Sequence, residues 1–301
     1  MVLFPSHPAA TISRHVGPVH CVTYSSGAGQ YILTGGQDRK IHLFNSTTTA
    51  HIQTYDSHGY EILSLSVSPD NSRFASVGGD KSAFLWDVST AKTLRRFAGH
   101  YARINTCAFN HDASVLVTGS FDRSVRCWDV KSSSVKPIMV FEEAGDSITS
   151  LTVGDGEVIT ACVDGKLRRY DLRMGRVYVD VIGGSAITSV TETGDGNAVL
   201  VSGLDETIRL MDKASGGCLM SYRGHRNREF RVGSTFAMVD SYVVSGSEDG
   251  TVWAWDILEG KCVFREVAHA GKVVGAVAVH DGRREMVTAG VDGTVVIWRT
   301  E

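Results

Sequence analysis

The chain has 301 residues, 43% of them hydrophobic, and 30 lysines and arginines against 33 acidic residues give a formal net charge of −3. This balance excludes the strongly basic surface that drives bulk binding to nucleic acid or to anionic membranes. The longest apolar run, residues 273–279, is too short to span a bilayer, and the N-terminal residues lack a signal-peptide pattern. We therefore expect a protein of the cytosol or the nucleus.

The six cysteines form no Cys-x-x-Cys pair, and their spacings do not fit a zinc site. We expect reduced, buried thiols that pack as small apolar side chains. We expect neither a metal nor another cofactor. The six positions are Cys21, Cys107, Cys127, Cys162, Cys218 and Cys262.

An aspartate recurs seven times along the chain at spacings of 41 to 44 residues. It lies each time in a similar string, such as VGGDKSAFLWD around Asp80 and GSEDGTVWAWD around Asp249. A period of roughly 40–45 residues with Trp-Asp endings is typical of a β-propeller, in which each repeat folds into one four-stranded blade. The seven aspartates are Asp38, Asp80, Asp122, Asp164, Asp205, Asp249 and Asp292.

The sequence therefore predicts an all-β, seven-bladed propeller that occupies residues 1–301 as a single domain. Repeat two illustrates the strands of one blade, because alternating apolar residues are separated there by turn residues. We predict its strands at residues 62–67, 74–77, 82–86 and 93–97. The predicted blades are approximately residues 15–57, 58–99, 100–142, 143–183, 184–224, 225–267, and 268–301 together with 8–14.

The last repeat ends after its third strand, and the N-terminal segment resembles a fourth strand. Residues 9–15 align with residues 93–100 at the end of repeat two. We therefore expect the first strand of the chain to pair with the last, which would close the ring and cover an exposed sheet edge.

Other residue types recur in register with the aspartate. A histidine precedes it in five repeats, a serine or threonine lies four residues before it in six, and an aromatic residue follows it by six residues in six. A buried carboxylate beside a turn needs donors, which a histidine and turn amides supply. The complete sets are His58, Ser76, Asp80 and Trp86; His100, Thr118, Asp122 and Trp128; His225, Ser245, Asp249 and Trp255; and His269, Thr288, Asp292 and Trp298.

We interpret these sets as structural rather than catalytic, because a Ser-His-Asp catalytic set would occur once. Repeats four and five lack the histidine, so we expect their blades to be held least tightly. An enzyme would also need convergent polar groups in the channel, which the pattern does not supply. We expect no catalytic residues and no small-molecule substrate.

The turns that carry the histidine and the aspartate share one face of a propeller, and strand alternation aims neighbouring residues at that face. Phe121 beside Arg103 forms an aromatic–arginine pair of the kind enriched in binding hot spots. Phe121 could instead fold onto its own blade. In repeat six we expect one extra residue, which would return Phe230 to the core and project Glu229 and Arg231. The candidate partner-binding residues are Glu61, Arg103, Phe121, Arg228, Glu248 and Lys272.

Five stretches carry a resemblance to known proteins: HGYEIL (58–63), GSFDRSVRCWD (119–129), DGKLRRYDLRMG (164–175), LDETIRLMD (204–212) and GHRNREF (224–230). They resemble the WD-repeat family and, within it, the mitogen-activated protein kinase organizers. The resemblance implies a non-catalytic scaffold that acts in pre-mRNA splicing within the spliceosome, in a mitogen-activated protein kinase cascade, or in both. It implies splicing factors, or kinases and their adaptors, as partners, in the nucleus and the cytoplasm.

A substrate-recognition subunit of a ubiquitin ligase is the alternative function. A WD-x-R ending would favour it, but only Asp171-Leu172-Arg173 approaches that pattern, with a tyrosine before it. We expect no membrane contact, and no direct contact with RNA because no aromatic residues interleave with the arginines. A monomer within a larger complex is the expected state.

Overall fold

The computed structural model describes residues 4–300. Within this range the strands form seven antiparallel sheets of four strands each, and the one helical element is a 3-10 turn at Asp281–Arg283. The same residues contain no helix long and apolar enough to cross a bilayer. The strands are β1 (His7–Ile12), β2 (Val19–Tyr24), β3 (Tyr31–Gly36), β4 (Ile41–Asn45), β5 (His51–Tyr55), β6 (Ile62–Val67), β7 (Arg73–Gly78), β8 (Ser82–Asp87), β9 (Thr93–Ala98), β10 (Ile104–Phe109), β11 (Val115–Ser120), β12 (Val125–Asp129), β13 (Met139–Phe141), β14 (Ile148–Gly154), β15 (Glu157–Cys162), β16 (Lys166–Asp171), β17 (Arg176–Val181), β18 (Ile187–Glu192), β19 (Ala198–Gly203), β20 (Thr207–Asp212), β21 (Cys218–Arg223), β22 (Ser234–Ala237), β23 (Tyr242–Ser245), β24 (Thr251–Asp256), β25 (Cys262–Val267), β26 (Val274–His280), β27 (Glu285–Gly290) and β28 (Val295–Arg299).

Successive groups of four strands form blades one to six, from β2–β5 to β22–β25, and blade seven combines β26, β27 and β28 with β1. The first strands of neighbouring blades contact one another in order, and β26 of blade seven contacts β2 of blade one. These contacts close a ring around a central channel. The prediction of an all-β, seven-bladed propeller is confirmed.

The strands of blade two follow from the local sequence. Its predicted strands are confirmed within one residue at each end. The turn between β6 and β7 is held by Asp70, whose carboxylate accepts from the amide and the hydroxyl of Ser72, and Asn71 takes a left-handed conformation with φ of 56°. The middle strand β7 is buried almost throughout because a neighbouring blade covers each of its faces.

The hydrophobic core is divided among the blade interfaces. The described residues form seven buried clusters, and each combines side chains of two adjacent blades. Four cysteines lie in these clusters, but Cys218 and Cys262 are exposed on the outer strands β21 and β25. The expectation of six buried thiols is therefore wrong for these two, because the outermost strands β21 and β25 expose most of their side chains.

The N-terminal strand completes the ring as expected. β1 pairs antiparallel with β28, with Thr11 opposite Val296 and Ile12 opposite Val295. Ile12 is buried in the cluster between blades seven and one, and the ring of Phe4 packs against Tyr242 of blade six at 5.6 Å between centroids. The prediction of closure by the N-terminal strand is confirmed.

Candidate protein-interaction face

Blade three contains the predicted hydrogen-bonded set in complete form. Nδ1 of His100 donates to Asp122 at 2.9 Å, and its Nε2 bonds with the Thr118 hydroxyl at 2.8 Å. The indole N–H of Trp128 donates to the same hydroxyl at 2.9 Å. The set joins the loop before the first strand, the second strand, the turn after it and the third strand. It therefore fixes the loops on one face of the blade.

Blades two and seven have the same arrangement. In blade two His58 bonds with Asp80 and, at 2.6 Å, with Ser76, which also accepts from Trp86 at 2.8 Å. In blade seven the distances from His269 to Asp292, from His269 to Thr288 and from Trp298 to Thr288 are all 3.1 Å.

Burial and hydrogen bonding together determine the charge states of the aspartate and the histidine in these sets. Although burial alone would raise it, hydrogen bonds from His100 and Ser124 hold the pKa of Asp122 well below its usual range. Burial lowers the pKa of His100, against the opposing effect of Asp122. A carboxylate and a neutral imidazole are therefore the stable forms near neutral pH, and their polar atoms are engaged in holding the fold.

Blade one has a variant of the set. His15 bonds with Asp38 and Thr34, but Phe44 replaces the tryptophan, and the ring of His42 lies 4.7 Å from that of His15. Ligand atoms of His15, Asp38 and His42 lie within 4.8 Å of one another, which is a spacing that a metal ion could use. Both ring nitrogens of His15 already have protein partners, however, so the group is committed to the fold.

Blades four and five replace the missing histidine with an arginine. Arg168 binds Asp164 through two hydrogen bonds of 2.6 and 3.2 Å. Arg209 binds Asp205 in the same way, at 2.5 and 3.2 Å. In both blades the arginine comes four residues after the aspartate, a spacing that is visible in the sequence but was not predicted to replace the histidine. A bidentate arginine holds the carboxylate in place of the imidazole.

Blade six is the blade in which the set is broken, and the prediction of a complete set there is wrong. Neither ring nitrogen of His225 has a partner among the described residues. Ser245 donates to the carbonyl of Gly246, and the indole of Trp255 donates to the carbonyl of Arg223. Asp249 is exposed and accepts from the amide and the hydroxyl of Thr251 in its own turn.

The loop that follows His225 explains why the hydrogen-bonded set is broken in blade six. Oε1 of Glu248 accepts the main-chain amides of Arg228, Glu229 and Phe230 at 2.7, 2.7 and 2.9 Å. Only 5% of the Glu248 side chain is exposed. Although burial alone would raise it, these amides hold its pKa below the usual range. Glu248 therefore organises the loop, which corrects its assignment to the partner-binding face.

The frame of repeats six and seven also differs from the prediction. Val232 is fully buried at the start of blade six, and Phe230 is half exposed instead of returning to the core. Arg231 projects into the channel, as expected, whereas Arg228 lies outside and pairs with Glu206 at 2.8 Å. Because the loop has extra residues, Val232 instead of Phe230 occupies the buried position at the start of the blade.

In blade seven the first strand, β26, begins at Val274, and its register with β27 shifts between Val274 and Ala276. Val273 before it accepts the amide of Val291, as Arg103 accepts that of Phe121 in blade three. Val273 therefore occupies the channel-facing position that the sequence assigned to Lys272. Lys272 is an exposed loop residue.

Exposed aromatic side chains gather on the face that carries the histidine and aspartate loops. Phe121 is 51% exposed, and the Arg103 guanidinium lies 5.1 Å from the centre of its ring. Tyr101 on the same blade is 79% exposed and lies under Arg126 at 5.4 Å. Tyr60 of blade two adds a third exposed ring. We call Tyr60, Tyr101, Arg103 and Phe121 the aromatic patch; sequence reasoning found Phe121 and Arg103 but missed the two tyrosines, which sit in loops without periodicity. Glu61 beside Tyr60 is half-buried on the same face.

The fold and the repeated sets define a WD-repeat propeller, and comparison with known proteins agrees. A family described as "WD domain, G-beta repeat" matches residues 6–45, 49–87, 91–129, 216–256 and 260–299. The chain therefore belongs to the WD-repeat family. Residues 130–215, which fall outside these matches, contain the two aspartates that bind arginine instead of histidine.

The chain is homologous to WD repeat domain-containing protein 83. It is 48% identical to the human protein over 297 residues, which cover 99% of this chain and 93% of that protein. The rat protein is 47% identical over the same coverage. The homologue from Dictyostelium discoideum is 33% identical over 317 aligned positions, with 95% of this chain and 96% of that protein covered.

Proposed function

We propose that the chain is a non-catalytic scaffold that binds other proteins through the aromatic patch. The observation that carries this proposal is the exposure of Tyr60, Tyr101 and Phe121 together on loops fixed by buried hydrogen bonds. Large exposed aromatic side chains are unfavourable in water unless a partner covers them, and aromatic and arginine residues dominate binding hot spots. Rigid loops lose little entropy on binding.

The polar groups of the repeated sets support a scaffold rather than an enzyme. Each histidine of blades two, three and seven has both ring nitrogens engaged by an aspartate and a hydroxyl. A catalytic base needs a nitrogen free to take a proton from a substrate. These sets stabilise the face on which partners bind.

The partners we propose are those of a mitogen-activated protein kinase organizer and of the spliceosome, namely kinases with their adaptors, and splicing factors. The support is the resemblance of residues 164–175 and the other stretches described above, together with the homology to WD repeat domain-containing protein 83 along nearly the whole chain. Such a scaffold would work in the nucleus and the cytoplasm, as a monomer within a larger complex.

The proposal is tested by purifying tagged protein from cells after nuclease treatment and identifying bound proteins by mass spectrometry. The test variant combines Phe121→Ala and Arg103→Glu. The control variant combines Leu258→Ala and Arg173→Glu, two exposed residues in turns on the opposite face. Circular dichroism establishes that both variants are folded.

We expect the test variant to lose most of its partners, and the control to keep them. Splicing factors among the lost proteins would support the spliceosomal role, and kinases with adaptors would support the signalling role. Equal recovery with the folded test variant would exclude the aromatic patch as the binding face.

A further inference from the structure

The guanidinium of Arg231 crosses the central channel. Its Nη1 donates to the main-chain carbonyl of Asn105 at 2.8 Å, which joins blade six to blade three. Protein surrounds the side chain, yet the channel leaves it accessible to solvent. Arginine has five N–H donors in a planar fork, so four remain for water or a ligand.

No carboxylate in residues 4–300 forms an ion pair with Arg231. Burial, and to a smaller extent the charge of Arg103, lowers the pKa of Arg231. Burial raises the pKa of the nearby thiol of Cys107 to about 12 and raises that of Cys21 further. Both thiols are therefore neutral at physiological pH, and they supply no counter-charge.

The remaining titratable groups near this end of the channel do not balance the charge. Burial lowers the pKa of His20, so that its imidazole is neutral near pH 7. Glu61 acts on His20 but makes no ion pair with Arg231 within the described structure. Within residues 4–300 the positive charge of Arg231 therefore has no paired anion, and an anionic ligand that enters the channel would neutralise it.

The channel wall offers further donors around the guanidinium. The cavity has a volume of about 300 Å³, and Thr106 and Ser150 are among its lining residues. Neither hydroxyl makes a hydrogen bond with any other residue described in the structure. A second cavity of about 280 Å³, lined largely by apolar residues that include Phe230 and Val273, also borders Arg231. A group on the interaction face can therefore reach the guanidinium.

We propose that the central channel is an oxyanion-binding site in which the Arg231 guanidinium holds a phosphate or carboxylate group, assisted by the hydroxyls of Thr106 and Ser150. Guanidinium groups bind such oxygens through paired, charge-assisted hydrogen bonds. The ligand is either a free anion or an acidic group of a partner protein that enters the channel from the interaction face, through the cavity lined by Phe230 and Val273. This site is independent of the aromatic patch, because it needs only the purified chain.

Isothermal titration calorimetry of the purified full chain tests the site. Sodium phosphate, sodium acetate and sodium chloride are titrated at one ionic strength and pH into the unmodified chain, Arg231→Gln and Arg228→Gln. Arg228 is the matched control because it is exposed and paired with Glu206. We expect phosphate to bind and chloride not to bind, Arg231→Gln to weaken phosphate binding at least about tenfold, and Arg228→Gln to leave it unchanged.

Equal phosphate binding by Arg231→Gln, or equal heats for chloride and phosphate, would overturn the proposal. If Arg231→Gln does not fold, Thr106→Val with Ser150→Ala provides the second test, with phosphate binding expected to weaken by about threefold or more. A rise in melting temperature of about 2–4 °C with phosphate at ten times its dissociation constant is the corresponding stability readout. A phosphoserine peptide that binds at least tenfold more tightly than phosphate would identify a partner as the source, and equal affinity would identify the free anion.

Discussion

The carboxylate of Asp122 accepts a hydrogen bond from Nδ1 of His100 at 2.9 Å, and so joins the loop before blade three to the turn between its second and third strands. Asp122 also accepts the amide of Tyr101 and the hydroxyl of Ser124. Asp249, at the same position in blade six, accepts hydrogen bonds from Thr251 in its own turn and pairs with Arg265 at 3.9 Å, but His225 does not bond with it. The same residue type in the same repeat position therefore has two different structural roles.

This difference predicts unequal effects of aspartate substitution. Asp122→Ala removes the carboxylate that binds Nδ1 of His100 and leaves the Tyr101 amide without its acceptor, so we expect it to lower the free energy of unfolding by about 2–4 kcal/mol. Asp249→Ala removes a solvent-exposed turn contact and should cost about 1 kcal/mol or less. Urea denaturation of both variants measures the two values. Similar losses would mean that blade six relies on its aspartate as blade three does.

The unpartnered imidazole of His225 predicts a dependence of stability on pH. Burial lowers its folded-state pKa to about 4, whereas an unfolded histidine has a pKa of about 6.5. Between these values the unfolded chain binds more protons, so stability is full above about pH 6.5 and falls as the pH drops toward 4. The slope from this group is at most about 1.4 kcal/mol per pH unit.

We therefore expect His225→Phe to keep or raise stability at pH 7, since its unpaired nitrogens are lost, and to flatten the decline between pH 6.5 and 4.5. His100→Phe is the control, because it removes the partner of Asp122 and should destabilise the protein at pH 7. Melting temperatures across this pH range decide the matter. An unchanged slope in His225→Phe would exclude His225 as its source.

The arginines of blades four and five predict a further pair of stability effects. The Arg168 side chain is 5% exposed. Arg168→Met would remove the cation that pairs with the largely buried Asp164 and leave that carboxylate with the main-chain amides of Gly145 and Lys166. We expect a loss of about 2–4 kcal/mol in unfolding free energy. Arg209→Met breaks a more exposed pair, and about 1 kcal/mol or less is expected. Chemical denaturation compares the two, and a larger effect at Arg209 would contradict the role of burial.

Closure of the ring predicts strong sensitivity at one end of the chain. Ile12→Asp places a charge in the cluster between blades seven and one, and we expect it to lower the melting temperature by several degrees and to promote aggregation through the uncovered edge of β28. Thr11→Asp, on the exposed side of the same strand, is the control and should change stability little. Scanning calorimetry and light scattering measure both effects. Equal melting curves would show that β1 is dispensable.

The fold could be predicted from the sequence because the signals were local and repeated. The turn residues around Asp70 and the buried strands beside them specify blade two without help from distant residues. The resemblance of residues 9–15 to a fourth strand was enough to predict closure. Each of these signals lies within a single repeat.

The blade-six loop could not be predicted in the same way. Phe230 and Val232 are both apolar, and which one is buried depends on three main-chain amides that turn toward Glu248, about twenty residues later. Arg168 and Arg209 were also missed, because strand alternation alone does not show that a guanidinium folds back onto a turn. In each case a side-chain hydrogen bond that the repeat pattern does not show determines the local structure.

Pairing of β1 with β28 also has a consequence for synthesis. β1 precedes the other strands of the propeller in the chain and its partner β28 follows them, so blades one to six can form during synthesis before blade seven can. Until β28 has been synthesised, β1 lacks the strand with which it pairs in the folded protein. The ring therefore closes only after β28 has been synthesised, and a nascent chain stalled before β28 remains an open arc.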